Sequence, residues 1–156
     1  MKLNIVQADY YNPTHAEHIV YLTNAYAEDE MGGGQSLSAH VKEHLVEGLK
    51  ATSNSMVLIA YNNDEPVGIV NCFWAYSTFY AKPLVNIHDL AVIESARGQG
   101  VGAALIQEVK RRAIDRGACK VTLEVLENNA ARRLYEREGF SYGKPPYYFM
   151  SMKLDE

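Results

Sequence analysis

The chain has 156 residues, enough for one well-buried core and short for two, so a single domain over residues 1–156 is expected. Lysine and arginine number 15 against 19 aspartates and glutamates, a formal charge of -4, which argues against a general nucleic-acid binder and its basic surface. No apolar run approaches the ~18 residues of a membrane span, and Met1–Asp9 lacks the apolar stretch of a secretion signal, so the expected location is the cytoplasm, with no membrane partner.

Leu3–Ala8 reads as a first strand, β1. Pro13 suits a helix start, and Ile19, Leu22 and Tyr26 give α1 an apolar stripe. The segment Glu28-Asp29-Glu30-Met31-Gly32-Gly33-Gly34-Gln35-Ser36 then breaks that helix, since each glycine costs nearly 1 kcal/mol inside one. Ser36 or Ser38 can cap α2, whose stripe runs through Val41, Leu45, Val46 and Leu49. Met56–Tyr61 forms β2, and Asn62–Pro66 supplies a turn before β3, Val67–Trp74. Ser77–Pro83 leads into β4, the β-branched run Val85–Val92. Ala103–Ala113 repeats Leu105, Ile106, Val109 and Ala113 at helical spacing and gives α3, ending near Gly117. Lys120–Leu126 alternates as β5, and Ala130–Arg137 forms α4, closed by Gly139. Phe140–Tyr142 and Tyr147–Leu154 are expected as β6 and β7. The order β1-α1-α2-β2-β3-β4-α3-β5-α4-β6-β7 describes an α/β fold, a mixed central sheet with helices on both faces.

Between β4 and α3 lies Arg97-Gly98-Gln99-Gly100-Val101-Gly102. A helix N-terminus presents unpaired N–H groups and a positive dipole end, and glycines let a bulky anion approach the backbone, so this turn is a candidate phosphate site. It is not a nucleoside triphosphate loop, because no Gly-Lys-Ser or Gly-Lys-Thr occurs. It is not a dinucleotide fingerprint either, since its glycines come late in the chain and not in a first βαβ unit. Cys72 and Cys119 sit in apolar runs without zinc-ligand spacing and read as core thiols. His40 and His44, one helical turn apart, are too few ligands for zinc, so no metal is expected.

A second segment follows α3 and β5: Asn128-Asn129-Ala130-Ala131-Arg132-Arg133-Leu134-Tyr135-Glu136-Arg137-Glu138-Gly139-Phe140. Together the two segments resemble the GNAT superfamily of acyl-coenzyme A N-acetyltransferases. Arg97, Gly100 and Gly102 match its Arg/Gln-x-x-Gly-x-Gly/Ala turn. Asn128, Ala131, Leu134, Tyr135, Gly139 and Phe140 match its Asn-x-x-Ala-x-x-Leu-Tyr-x-x-x-Gly-Phe segment.

The resemblance implies acetyl-CoA as cofactor, with its pyrophosphate wrapped by Arg97, Gly98, Gln99, Gly100, Val101 and Gly102. It implies that β4 and β5 splay apart and that backbone groups along Leu90, Ala91 and Val92 hold the pantetheine arm, with Asn128 and Ala131 near it. Tyr135 matches the family's general acid; a phenol is protonated at neutral pH and can donate to a leaving thiolate. His88 resembles the proton-relaying histidine of arylalkylamine acetyltransferases, and imidazole titrates in the range such a base needs. Asp89, expected on the opposite strand face from His88, and a water chain remain alternatives for the base. Ser77, Thr78, Phe79, Lys82 and Pro83 resemble the lead-in of diamine and polyamine acetyltransferases, many of them homodimers, although those relatives carry glutamate where His88 stands.

The acceptor is expected among Glu28, Asp29 and Glu30, which supply negative potential, and Trp74, Tyr76, Phe79 and Tyr147, which supply an aromatic wall. The expected function is acetyl transfer to the primary amine of a small cationic metabolite by direct attack in a ternary complex, the chain acting as a homodimer. A peptide or protein amino-group acetyltransferase and a non-catalytic CoA-binding module are the alternatives.

Overall fold

The computed structural model describes residues 1–154. The chain divides into two compact units, Met1–Leu123 and the segment from Glu124 onward. In the first, five strands lie in the order β1-β2-β3-β4-β5, with β1 Leu3–Gln7, β2 Ser55–Asn62, β3 Glu65–Ser77, β4 Lys82–Val92 and β5 Val121–Leu123. The first four pair antiparallel; β5 joins β4 in parallel, as a crossover through α3 requires.

Helices cover both faces. α1, Pro13–Glu28, starts behind Asn12, whose side chain accepts from Thr14 N–H and His15 N–H, and α2, Ala39–Ala51, starts behind Ser38, which accepts from Val41 N–H. Ile19 and Leu22 of α1 and Leu49 of α2 pack with Val57, Ile59, Tyr61 and Ile69 of the sheet into one buried cluster. α3, Val101–Asp115, covers the opposite face with Leu105, Ile106, Val109 and Ala113. Alternation divides β3 between these layers: Ile69 faces α1 and α2, while Gly68 faces α3. A Cβ at Gly68 would stand 2.8 Å from Val101 Cγ1 and 3.1 Å from Leu105 Cδ1, so this glycine sets how closely the start of α3 approaches the sheet.

The observed fold corrects several expected boundaries. β3 and β4 are longer than their apolar runs, because their pairing continues to Ser77 and Lys82 and closes a hairpin whose tip, residues 78–81, is exposed. β5 is only three residues, Val121–Leu123, which pair with Val85, Asn86 and Ile87. In the second unit α4 is short, Arg132–Arg137, and the bond from Ala131 N–H to Asn129 Oδ1 shapes its entry. Neither β6 nor β7 forms within residues 140–154. Their strand-like composition is not enough: Tyr147, Tyr148, Phe149, Met150, Met152 and Leu154 are all exposed, and strand propensity is realised only where a neighbour supplies pairing and burial.

Two glycine substitutions should diverge in sign. Gly68→Val forces Val101 and Leu105 away and should cost about 1–3 kcal/mol. Gly48→Ala lies inside α2 with open space around its Cβ position and should stabilise by about 0.5–1 kcal/mol. Urea denaturation of both variants checks the pair.

Candidate active site

The feature that organises the site is a bulge in β4. Asn71 of β3 stands opposite Asp89, but the next residue, Cys72, stands opposite Ile87, so His88 is an extra residue in the ladder. Its consequence is local and chemical. The Asp89 carboxylate accepts from Asn71 Nδ2 at 2.9 Å, and the His88 ring lies edge-on to Phe73 at 5.6 Å. Asn71 and Phe73 are two apart on one strand and share its α1-side face, so the bulge brings His88 and Asp89 to the same side. The expectation of opposite faces is therefore corrected: strict alternation ends where a residue is inserted.

Two further groups join this face that the sequence reading passed over. Tyr26 of α1 has its hydroxyl held above the usual phenol range, by burial first and then by the Asp89 and Asp29 carboxylates. Asn71 is 5% exposed, and its Oδ1 has no hydrogen-bond partner among the described residues while its Nδ2 is committed to Asp89. A lone asparagine inside the apolar run Val67–Trp74 was the available signal, since such a residue stays buried only where something uses its amide.

Beyond the bulge the backbone of β4 is open on one side. Ile93 N–H bonds Val67 O at 3.0 Å, so on antiparallel alternation Ala91 and Asp89 also direct their backbone groups at β3. Leu90 and Val92 direct theirs away from it, toward the side where β5 has already ended at Leu123. This edge leads into a short 3-10 turn, Glu94–Ala96, and then Gly98 at φ 74° and Gly100 at φ 84°, conformations that favour glycine. Gln99 is fastened by its side-chain amide to Ser95 O. The first intrahelical bond of α3 runs from Ala104 N–H to Gly100 O, which leaves Val101, Gly102 and Ala103 N–H without helical acceptors. An extended polar chain that ends in a pyrophosphate fits this run of groups: peptide-like pairing along Leu90 and Val92, then anion contacts at the α3 N-terminus.

Arg97 ties this turn to the segment after α1. Its Nε donates to Val92 O at 3.0 Å and its Nη2 to Asp29 Oδ2 at 2.8 Å. Asp29 is the residue that ends α1. Its Oδ1 accepts from Met31 N–H, and its carbonyl accepts from Gly32 and Gly34 N–H. The Met31 N–H and then Arg97 hold its carboxyl below the usual carboxylate range. Of the three acidic residues proposed to attract an amine, Asp29 is thus already engaged by a cation. Glu28 accepts from Asn24 Nδ2 and is exposed, as is Glu30.

Trp74, Tyr76 and Phe79 of the expected aromatic wall do not converge on His88. Trp74 lies on the α3 side, under the Arg116 guanidinium at 4.2 Å from its ring centre and beside Gln7, Met56 and Arg112. Tyr76 pairs with Pro83, about 17 Å along the strand from His88 at ~3.3 Å per residue, and Phe79 tips the hairpin at 96% exposure. In the second unit Tyr135 is half-buried on α4, its ring edge-on to Phe140 at 5.9 Å. Asn128 is exposed, Ala131 precedes the first residue of α4, and Tyr147 is 92% exposed. Cys72 is buried and its thiol is pushed up to about 12 by desolvation and then by Asp89, so it holds its proton and is a poor nucleophile.

The sequence profile of the acetyltransferase (GNAT) family matches residues 19–140. The uncharacterized N-acetyltransferase YhfO of Bacillus subtilis is 31% identical over 145 residues, covering 88% of this chain and 89% of that protein. The thialysine N-epsilon-acetyltransferase of Caenorhabditis elegans is 26% identical over 131 residues, 80% of this chain and 76% of that one. Among solved structures, an aminoglycoside acetyltransferase from an uncultured soil metagenomic sample, in complex with sisomicin, superposes at a TM-score of 0.77 with 21% identity and 97% of each chain covered.

The Asp29–Arg97 pair carries a pH signature. Because folding lowers the Asp29 pKa, its contribution is present above the unfolded value, ~3.9, and is lost as pH falls through the folded value. The melting temperatures of wild type and Asp29→Asn should differ at neutral pH and converge in acid; a gap that stays constant below pH ~3 would remove this assignment.

Proposed function

The chain belongs to the acetyltransferase (GNAT) family and is an N-acetyltransferase, and from that premise we propose that it moves the acetyl group of acetyl-CoA to the primary amine of a small cationic metabolite by direct attack in a ternary complex. The observation that carries this reading is the open backbone edge at Leu90 and Val92, which runs straight into the Arg97–Gly102 turn and the free N–H groups of α3. Acetyl-CoA supplies the activated thioester. Leu90 and Val92 hold its arm by backbone hydrogen bonds, and Val101, Gly102 and Ala103 N–H take its pyrophosphate. By the family resemblance Asn128 and Ala131 are also assigned to the arm.

His88 serves as the base that takes the proton from the attacking amine, and Tyr135 Oη holds the proton required at the departing sulfur. Asp89, on the same face as His88, adds negative charge for a cationic acceptor and is the alternative base. Glu28 and Glu30 extend that potential. A covalent acetyl-cysteine route is disfavoured by the protonated, buried Cys72. The substrate class rests on the thialysine and aminoglycoside acetyltransferases among the relatives, both named for amine-bearing acceptors. Residues 1–156 work as a single N-acetyltransferase domain in the cytoplasm, where the two free thiols stay reduced.

The same reading makes the protein a homodimer. Tyr76, Phe79 and Tyr80 on the β3–β4 hairpin, and Tyr147, Tyr148, Phe149, Met150 and Met152 near the C-terminus, are large exposed apolar groups suited to a partner copy.

A kinetic panel of spermidine, putrescine, thialysine, an arylalkylamine, an aminoglycoside and short peptides tests the acceptor class. A cationic small amine should lead in kcat/KM; a peptide leading while the small amines stay at background would overturn it. Gly100→Val should raise the calorimetric Kd for coenzyme A at least tenfold, because φ 84° strains a β-branched residue at the turn that meets the pyrophosphate. Tyr135→Phe should lower kcat by about 10–100-fold with coenzyme A affinity retained. Light scattering at micromolar concentration should give twice the subunit mass.

A further inference from the structure

Two parts of the candidate site that the sequence separates widely are joined by one ion pair. Asp29 lies at the end of α1, in the segment assigned to the acceptor; Arg97 lies in the turn assigned to the cofactor. The bridge is short, 2.8 Å, and its Asp29 side chain is only 26% exposed. Each partner is also anchored locally. Arg97 Nε grips Val92 O at the end of the open β4 edge, and Asp29 grips Met31, Gly32 and Gly34 N–H. The glycines between need this help, since Gly33 and Gly34 adopt φ 113° and 75° and have no side chains to pack. At Gly32 a Cβ would stand 1.9 Å from Tyr26 O, so the chain there lies hard against the last turn of α1. The far end is tied independently, by Leu37 N–H and Ser36 Oγ donating to Asn24 Oδ1.

We propose that Asp29 is a positioning residue that straps the three-glycine segment onto the cofactor turn through Arg97, so that the acceptor side of the site keeps its shape only while that ion pair is made. The proposal rests on the acetyltransferase reading for its catalytic meaning, but the strap itself is a property of the protein alone. It gives Asp29 a role different from direct capture of the amine. A carboxylate already bonded to a guanidinium and to the Met31 N–H acts by holding the loop, and its charge is largely offset by Arg97. It also makes the two ligands communicate. Whatever fixes Arg97 at the cofactor turn fixes the loop that meets the amine, and linkage requires the effect to run both ways.

The two readings of Asp29 predict opposite signs for one substitution. If Asp29 captured the amine directly, Arg97→Gln would unmask its charge and lower the KM for a cationic amine. If Asp29 is a strap, Arg97→Gln and Asp29→Asn both release the loop and both raise that KM at saturating acetyl-CoA, by roughly two- to fivefold, the span of a partly exposed ion pair. Hydrogen exchange in the ligand-free protein supplies the independent readout: Gly32, Gly34 and Gln35 amides should exchange several-fold faster in either variant, and the double variant should add little to the singles. Unchanged exchange in either single variant overturns the strap, whatever the enzyme acetylates. Accelerated exchange with a lowered amine KM in Arg97→Gln overturns its role at the acceptor site. Absence of acetyl transfer to any amine defeats the functional reading while leaving the exchange result to decide the strap.

Discussion

The backbone of β4 has to satisfy two neighbours that follow different courses, and the site depends on how it does so. Toward β3 its pairing runs the full length of the strand; toward β5 it stops at Ile87. The inserted residue at His88 marks that change. Before the bulge the strand is paired on both sides; after it the Leu90 and Val92 peptide groups turn away from β3 and meet no strand of the sheet, Val92 O being met by Arg97 Nε. A buried peptide group without a partner costs roughly 1–3 kcal/mol, so an open row beside a packed sheet is sustained where solvent or a ligand can reach it. The insertion at this point turns the His88 and Asp89 side chains to one face.

The second constraint is the fit of α3. Its first turn packs against Gly68, where the sheet has no side chain to hold it off. That closeness puts the unpaired N–H groups at the end of the open β4 edge, with the Gly98 and Gly100 conformations making the turn short enough to join them. Around this rigid part the acceptor side is lighter in construction: an acidic residue, three glycines and a few side-chain bonds from Asn24 and Asp29. In the proposed reading the cofactor turn is the fixed part of the site and the three-glycine segment is the part that the Asp29–Arg97 pair holds.

Much of this was legible in the sequence. The order of elements through α4, the Ser38 cap, the break at Gly32–Gly34 and the Gly-rich start of α3 all follow from local rules that the structure keeps. Antiparallel pairing directs the Leu90 and Val92 backbone groups away from β3. What local pattern misses depends on contacts between distant segments. Alternation cannot foresee an inserted residue, so Asp89 was placed on the wrong face. Composition cannot show whether Tyr147–Leu154 finds a partner strand, so β6 and β7 were expected and do not form within residues 140–154. The charge on Asp29 reads as available until Arg97, far along the chain, is seen to hold it. Trp74 reads as a wall residue until its strand parity and Arg116 put it against α3.

In the proposed binding mode coenzyme A pairs with the open β4 edge and ends on the α3 N-terminus. Residue-resolved amide exchange by NMR, with and without coenzyme A, reads that pairing at each peptide group. New protection is expected at Leu90 and Val92 and at Val101, Gly102 and Ala103, with Ala91 little changed because its N–H is already committed to β3. Tight coenzyme A binding that left Leu90 and Val92 exchanging as before, with protection gathered elsewhere, would contradict it.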